Sequence, residues 1–206
     1  MHQSTPENER AILEAVLSLA VTTGYEGTTM AEVARVSGLP IGSVYWHFEN
    51  KEQLFAALID YCFEVWKERH RGPSNRAILH TSIAGSAANS TSAEHAEEAF
   101  WIIGLIFALE KRLEDNAARQ RYLAVRGEMY ELLVETVGAG LPATALAAEP
   151  DLARKVVMLG RALTDGFYIS ASAGDDVDFV EAAALSALAI EKLVQHYEEI
   201  GARAQR

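Results

Sequence analysis

One stretch of fourteen residues constrains this chain more than any other: Gly38-Leu39-Pro40-Ile41-Gly42-Ser43-Val44-Tyr45-Trp46-His47-Phe48-Glu49-Asn50-Lys51. It holds a glycine that can end one helix, room for a very short second helix, and the start of a third. So short a helix cannot hold itself together in water, because nucleation costs more than a few hydrogen bonds return. Neighbours must pin it, and its free side is then available to a partner. Ser43, Tyr45, His47 and Lys51 can all hydrogen-bond to phosphate, and they form neither a metal-ligand set nor a nucleophile with its base. The stretch reads as the second half of a helix-turn-helix.

The surrounding residues supply the other half. Thr5-Pro6 opens a helix whose apolar stripe is Ile12, Leu13, Val16, Leu17, Leu19 and Ala20, and Gly24 should end it. Thr29-x-x-Glu32 is a capping box for a second short helix that turns Val33, Ala34 and Val36 inward and stops at Gly38. Ser43 to Phe48 forms the third, with Val44 and Phe48 as its anchors and Trp46 partly buried beneath the motif. Asn50-x-x-Gln53 caps a longer helix to about Arg71, with Leu54, Phe55, Leu58, Tyr61, Cys62 and Val65 inward.

Beyond Gly72-Pro73-Ser74 the composition shifts, and residues 82–93 are small and polar, as in a loop. Thr91-x-x-Glu94 then caps a strongly apolar helix over about 94–114. Further helices are expected over about 117–137, closed by Gly138, Gly140 and Pro142, then from Pro150-Asp151 to about 171, and from Gly174-Asp175-Asp176 to about 200. The fold class is all-α with about nine helices: a three-helix head over 1–52 and a larger helical body over 53–206, connected by the helix over about 51–71. Ala, Leu and Glu dominate, and no alternating strand pattern appears.

Bulk properties narrow the function. Cys62 is the single cysteine, so no intramolecular disulfide forms, which fits a reducing cytoplasm. The polar first ten residues do not look like a signal peptide, and the most apolar run, residues 100–109, falls short of the ~20 residues a membrane span needs. No HExxH, paired Glu-x-x-His, phosphate-cradling glycine loop or nucleophile with a base is present, and the six histidines are scattered. An enzyme, a metal site and a cofactor are therefore not expected. Net charge is −11, and residues 1–51 hold three basic side chains against six acidic ones. A DNA-binding face is ordinarily basic, so this acidity is the main argument against DNA. Most of these glutamates can face away, while neutral donors and helix N-termini hold phosphates without formal charge.

Thr28-Thr29, Val33-Ala34, Gly38, Ser43, Tyr45, His47-Phe48 and Lys51, at their spacing over residues 8–58, resemble the tetracycline-repressor (TetR) family of bacterial transcription factors. The resemblance implies a homodimer whose heads dock on double-stranded operator DNA and whose bodies bind a small molecule. It assigns phosphate contact to Thr29, Tyr45, His47 and Lys51, and base reading to Pro40, Ile41, Gly42 and Ser43, with Ala31 nearby. Each residue also has a plainer role. Thr29 is a helix cap, Tyr45 a half-buried tyrosine, His47 a helix end and Lys51 a solvated lysine. Many relatives carry Arg, Lys or Gln at a base-reading place. Ile41 offers only apolar contact, so specificity would lean on Ser43, backbone groups and DNA shape.

In the body, Trp101, Phe107, Tyr122, Met129, Tyr130, Met158, Phe167 and Tyr168 are candidates to line a largely apolar effector pocket, with Arg126 and Asp165 as polar groups; core packing is the plain reading for most. The last two helices are Ala- and Leu-rich, and through Ala182-Ala183-Ala184, Leu185, Ala187-Leu188-Ala189 and Leu193 they leave a face broad enough to pair with a second copy in a two-fold four-helix seam. The function expected is a ligand-responsive transcriptional regulator, most simply a repressor released by its effector. A ligand sensor or adaptor that keeps the fold without binding DNA is the alternative.

Overall fold

Capping side chains and glycines set where the helices begin and end. The computed structural model describes residues 6–69 and 92–204, and every element among them is helical. These are α1 (Pro6–Gly27), α2 (Met30–Ser37), α3 (Ile41–His47), α4 (Lys51–Arg69), α5 (Ser92–Leu109), a 3-10 turn (Lys111–Leu113), α6 (Ala117–Gly140), α7 (Ala143–Ala148), α8 (Leu152–Ala173) and α9 (Phe179–Ala204). The break expected at Gly72-Pro73-Ser74, the small polar stretch up to residue 91 and the cap at Thr91 lie outside the described residues.

By packing, the described chain falls into two units, residues 6–69 with 92–126, and residues 127–204. The residues of α4, α5 and the first part of α6 thus cluster with the helix-turn-helix.

In the first unit the regular helix of α1 ends at Gly24, whose φ of 70° only glycine adopts cheaply; one more turn follows to Gly27. The Thr28 hydroxyl donates to the Gly24 carbonyl at 2.8 Å and holds this break. Thr29 Oγ1 accepts the Glu32 N–H at 3.2 Å and so starts α2, and Gly38, at φ 72°, ends it. Asn50 Oδ1 accepts the Gln53 N–H at 2.9 Å and starts α4, while Gln53 Oε1 accepts the Glu49 N–H at 3.1 Å. The core is built from Ile12 and Val16 of α1, Val33 of α2, Val44 of α3, Leu54, Phe55 and Leu58 of α4, Phe107 of α5 and Tyr122 and Val125 of α6. The buried face of α4 differs from the expected one: Ile59, Phe63 and Trp66 are buried, while Tyr61 and Val65 are half-buried.

The helix expected over 94–114 stops at Leu109. A 3-10 turn follows, and the Asn116 side chain starts α6, its Oδ1 accepting the N–H groups of Ala118 (3.0 Å) and Arg119 (3.2 Å). Gly104 lets Tyr122 lie on the α5 backbone; a Cβ there would stand 2.2 Å from the Tyr122 ring.

In the second unit α6 continues past Gly138 to Gly140, because Gly138 is an ordinary helical residue against Ala153. The short α7 was not foreseen; Pro142 stands at its N-cap. Gly201 of α9 packs on α7, where an added Cβ would fall 2.1 Å from the Thr144 carbonyl oxygen. Lys155 bridges the Glu149 carboxylate and, at 3.3 Å, the Tyr197 hydroxyl. Arg154 grips Glu131 with two bonds of 3.1 and 3.0 Å. Gly174, at φ 93°, ends α8, and Asp178 Oδ1 accepts the N–H groups of Val180 and Glu181 to start α9. No helix among the described residues is long and apolar enough to cross a membrane.

Candidate nucleic-acid interface

The seven residues of α3 are held by one fully buried side chain, Val44, with buried Phe48 just after the helix. Its first turn is closed by backbone alone, the Ser43 N–H bonding the Pro40 carbonyl at 2.8 Å. Pro40 is the N-cap and makes no side-chain cap bond. Pro40, Ile41 and Gly42 are exposed and Ser43 is half-buried, so the four base-reading candidates stand together at the start of α3; Ala31, in the first turn of α2, is exposed as well.

Gly42 carries the most specific message. Its φ is not in the left-handed region, and a Cβ built on it would meet nothing within 4 Å. A helical glycine costs roughly 0.5–1 kcal/mol relative to alanine. Neither its own backbone nor the packing of this chain calls for one. Gly127 and Gly166 are helical glycines in equally open space, and what sets Gly42 apart is its exposed place at the start of α3, beside Pro40 and Ile41.

Tyr45 is half exposed and Trp46 is 69% exposed. The latter corrects the expectation of a Trp partly buried beneath the motif. With Val44 and Phe48 inward, a helical rotation of about 100° per residue turns Trp46 to the opposite side. That places it one turn after Gly42, on the same outer face. Trp46 thus stands on the outer face of α3, and the helical wheel around Val44 held the signal for that exposure. Its ring meets the His47 imidazole edge-on at 5.1 Å, and His47 in turn leans on Phe48 at 6.0 Å. His47 is half-buried.

Thr29 is exposed at the start of α2, but its hydroxyl is engaged with Glu32, accepting from the backbone N–H and contacting the carboxylate at 3.4 Å. What α2 can offer a phosphate is the N–H groups of its first turn. Lys51 does not extend freely into solvent. Its ammonium donates to the Tyr25 carbonyl at 3.1 Å, sits 4.3 Å from the centre of the Tyr25 ring and lies 3.9 Å from the Glu26 carboxylate. One of its three N–H groups is thus spent on the Tyr25 carbonyl.

Among the effector-pocket candidates of the first unit, Trp101, Phe107 and Tyr122 are buried; Phe100 meets Trp101 at 5.8 Å and Tyr122 at 5.6 Å, and Arg126 donates to the Tyr122 hydroxyl at 2.9 Å. Among those of the second unit, Met129 and Tyr168 are buried and Tyr130, Asp165 and Phe167 half-buried. Met158 does not join them: it is 63% exposed, because Val156 and Val157 take the inner side of α8. Among the described residues no three His, Cys, Asp or Glu side chains come together as metal ligands.

Residues 12–58 match the family of bacterial regulatory proteins called the tetR family. The matched segment contains the whole helix-turn-helix, α2 and α3 with the start of α4. The chain is 36% identical over 63 residues to the transcriptional regulator TtgR of Pseudomonas putida, an alignment covering 31% of this chain and 30% of TtgR. It thus spans less than a third of that relative's length. The fold extends further. A TetR-family transcriptional regulator from Cytophaga hutchinsonii superposes with a TM-score of 0.69 at 18% identity, covering 95% of this chain and 98% of that one. The regulator AibR, solved with isovaleryl coenzyme A and operator DNA, superposes with a TM-score of 0.61 at 20% identity, covering 87% of this chain and 96% of AibR. The all-α architecture is that of these regulators.

Proposed function

We propose that this protein is a ligand-responsive transcriptional regulator that docks its tetR-family head on double-stranded DNA, most simply as a repressor. The observation that carries this reading is the bare outer face of α3, where Gly42 serves no purpose inside the chain and is followed one turn later by exposed Trp46. Tyr45, Trp46, His47, the first turn of α2 and the Lys51 ammonium serve as phosphate donors, which set register without reading sequence. Ser43 and Ile41, the latter through a thymine methyl, read bases at the start of α3.

Two heads are needed to meet successive grooves on one face of a duplex, about 34 Å or a multiple apart. The partner is a second copy, joined through α8 and α9, where Met158, Ile169, Val180, Leu185 and Leu188 are exposed apolar side chains at helical spacing. The effector is a small and largely apolar molecule that shifts the population between a DNA-fitting state and one that does not fit. AibR binds isovaleryl coenzyme A, so short acyl thioesters are the first ligands to test.

Selection of duplexes from a random pool, followed by fluorescence anisotropy with and without acyl thioesters, tests the reading. Enrichment of a two-fold symmetric sequence is expected. A pool with no enrichment would favour a ligand sensor or adaptor that has kept the fold, in line with the acidity of residues 1–51.

A further inference from the structure

Tyr25 serves the first unit with three of its parts at once. Its ring lies edge-on to Phe55 of α4 at 4.8 Å and to Phe107 of α5 at 5.2 Å. Its carbonyl holds the Lys51 ammonium. Its buried hydroxyl accepts a 2.8 Å bond from Asn116 Nδ2. Asn116 is also the cap of α6. A second tie runs beside this one: the Glu52 carboxylate, next to Lys51, accepts the Ala117 N–H at 3.1 Å. Arg119 then donates to the Phe107 carbonyl at 2.8 Å and closes the corner between α5 and α6.

We infer that Tyr25 and Asn116 are positioning residues for Lys51, and that they carry displacements of the α5–α6 corner to the DNA face. The inference rests on the DNA-docking reading of the head. A lysine side chain has a long flexible stem, and its place is set by what holds its ammonium. Here the holder is the carbonyl and ring of a residue just after the Gly24 break, where the regular helix no longer fixes the backbone. The Asn116 bond supplies what the broken helix does not. Asn116 starts α6, whose second and third turns bear Tyr122 and Arg126, and Phe107 stands near the end of α5. A shift among these aromatic side chains therefore reaches Lys51 through one ring contact and two hydrogen bonds. This is a contiguous physical link of the kind coupling requires.

Tyr25→Phe removes the hydroxyl and keeps ring and carbonyl. Asn116→Asp keeps the α6 cap and gives the Tyr25 hydroxyl an acceptor to donate to. Lysine-labelled full-length protein read by NMR should show the Lys51 ε-protons shifted upfield by the Tyr25 ring. Because a phenyl ring carries a similar ring current, a change of that shift in Tyr25→Phe reports movement of Lys51 relative to the ring; Tyr25→Phe is expected to reduce the shift and Asn116→Asp to preserve it. On a duplex selected by the unsubstituted protein, Tyr25→Phe should weaken binding about fivefold, and by nothing further once Lys51 is alanine. An unchanged Lys51 signal in Tyr25→Phe overturns the inference whatever DNA does. So does a binding loss that persists undiminished in the Lys51→Ala background. Failure of the unsubstituted protein to bind any duplex refutes the docking reading instead, and the Lys51 signal still decides the joint.

Discussion

Two helical glycines mark the difference between α3 and α9. At Gly201 an added Cβ would run into the Thr144 carbonyl of α7; at Gly42 it would meet nothing. The glycine of α9 is required by the chain's own packing, whereas the packing leaves the position of Gly42 open. The exposed apolar residues differ in the same way. On α3 they stand among polar donors on a helix of seven residues, which suits a polar duplex. On α9, Val180, Leu185 and Leu188 run along a helix of 26 residues, which suits another helix. Exposure alone does not name a partner; the chemistry interleaved with it does.

The largest expected effect falls on the α9 face. Leu188→Glu places a charge in the proposed seam and should convert a dimer into a monomer in sedimentation or light scattering. A monomer before any substitution would remove α9 from the comparison. Gly201→Ala should cost about 2 kcal/mol of stability in denaturant unfolding, because the Thr144 backbone must move. Gly42→Ala should do the reverse of Gly201→Ala: stability holds or rises by roughly 0.5 kcal/mol, while affinity for a selected duplex falls about tenfold. If Gly42→Ala binds DNA as well as the natural chain, the two glycines no longer differ in kind.

Smaller effects sharpen the picture. Neutral donors predominate on the head, so the salt dependence of binding should be shallow, and Lys51→Ala should reduce the slope by about 0.9 per head without changing base preference. A slope of about −8 per dimer would show that formal charge, and not α3's neutral groups, holds the DNA. Least of all, the Lys155 hydrogen bond lowers the Glu149 carboxyl below its usual range and, together with that of Tyr197, raises the Lys155 ammonium. A depressed carboxyl stabilises the fold above its unfolded value, and that contribution is lost as pH falls through the folded one. Lys155→Met should flatten the acid limb of the stability curve slightly, with no change in DNA affinity.

Much of the fold was legible in the chain. Thr29, Gly38, Asn50 and Gly174 act through bonds and torsions within a few residues of themselves, and local signals of that kind survive any tertiary arrangement. The helix expected through residue 114 ended at Leu109, because the decisive cap is Asn116, one polar residue in a run that otherwise reads as continuous helix. Short α7 was missed for a related reason: its six residues lack the length to show a period. On α3, Val44 and Phe48 are buried as the spacing predicts, whereas Trp46, expected partly buried because it is hydrophobic, is exposed.

By itself, then, the sequence determined an all-α chain with a helix-turn-helix head, because caps, turns and apolar periods are properties of neighbouring residues. Only the tertiary structure decided that Trp46 faces out, that Gly42 has open space above it, and that Lys51 is held by Tyr25 and, through Tyr25, by Asn116. These depend on residues as many as 91 positions apart. No local pattern encodes which of them the packed core will bring together.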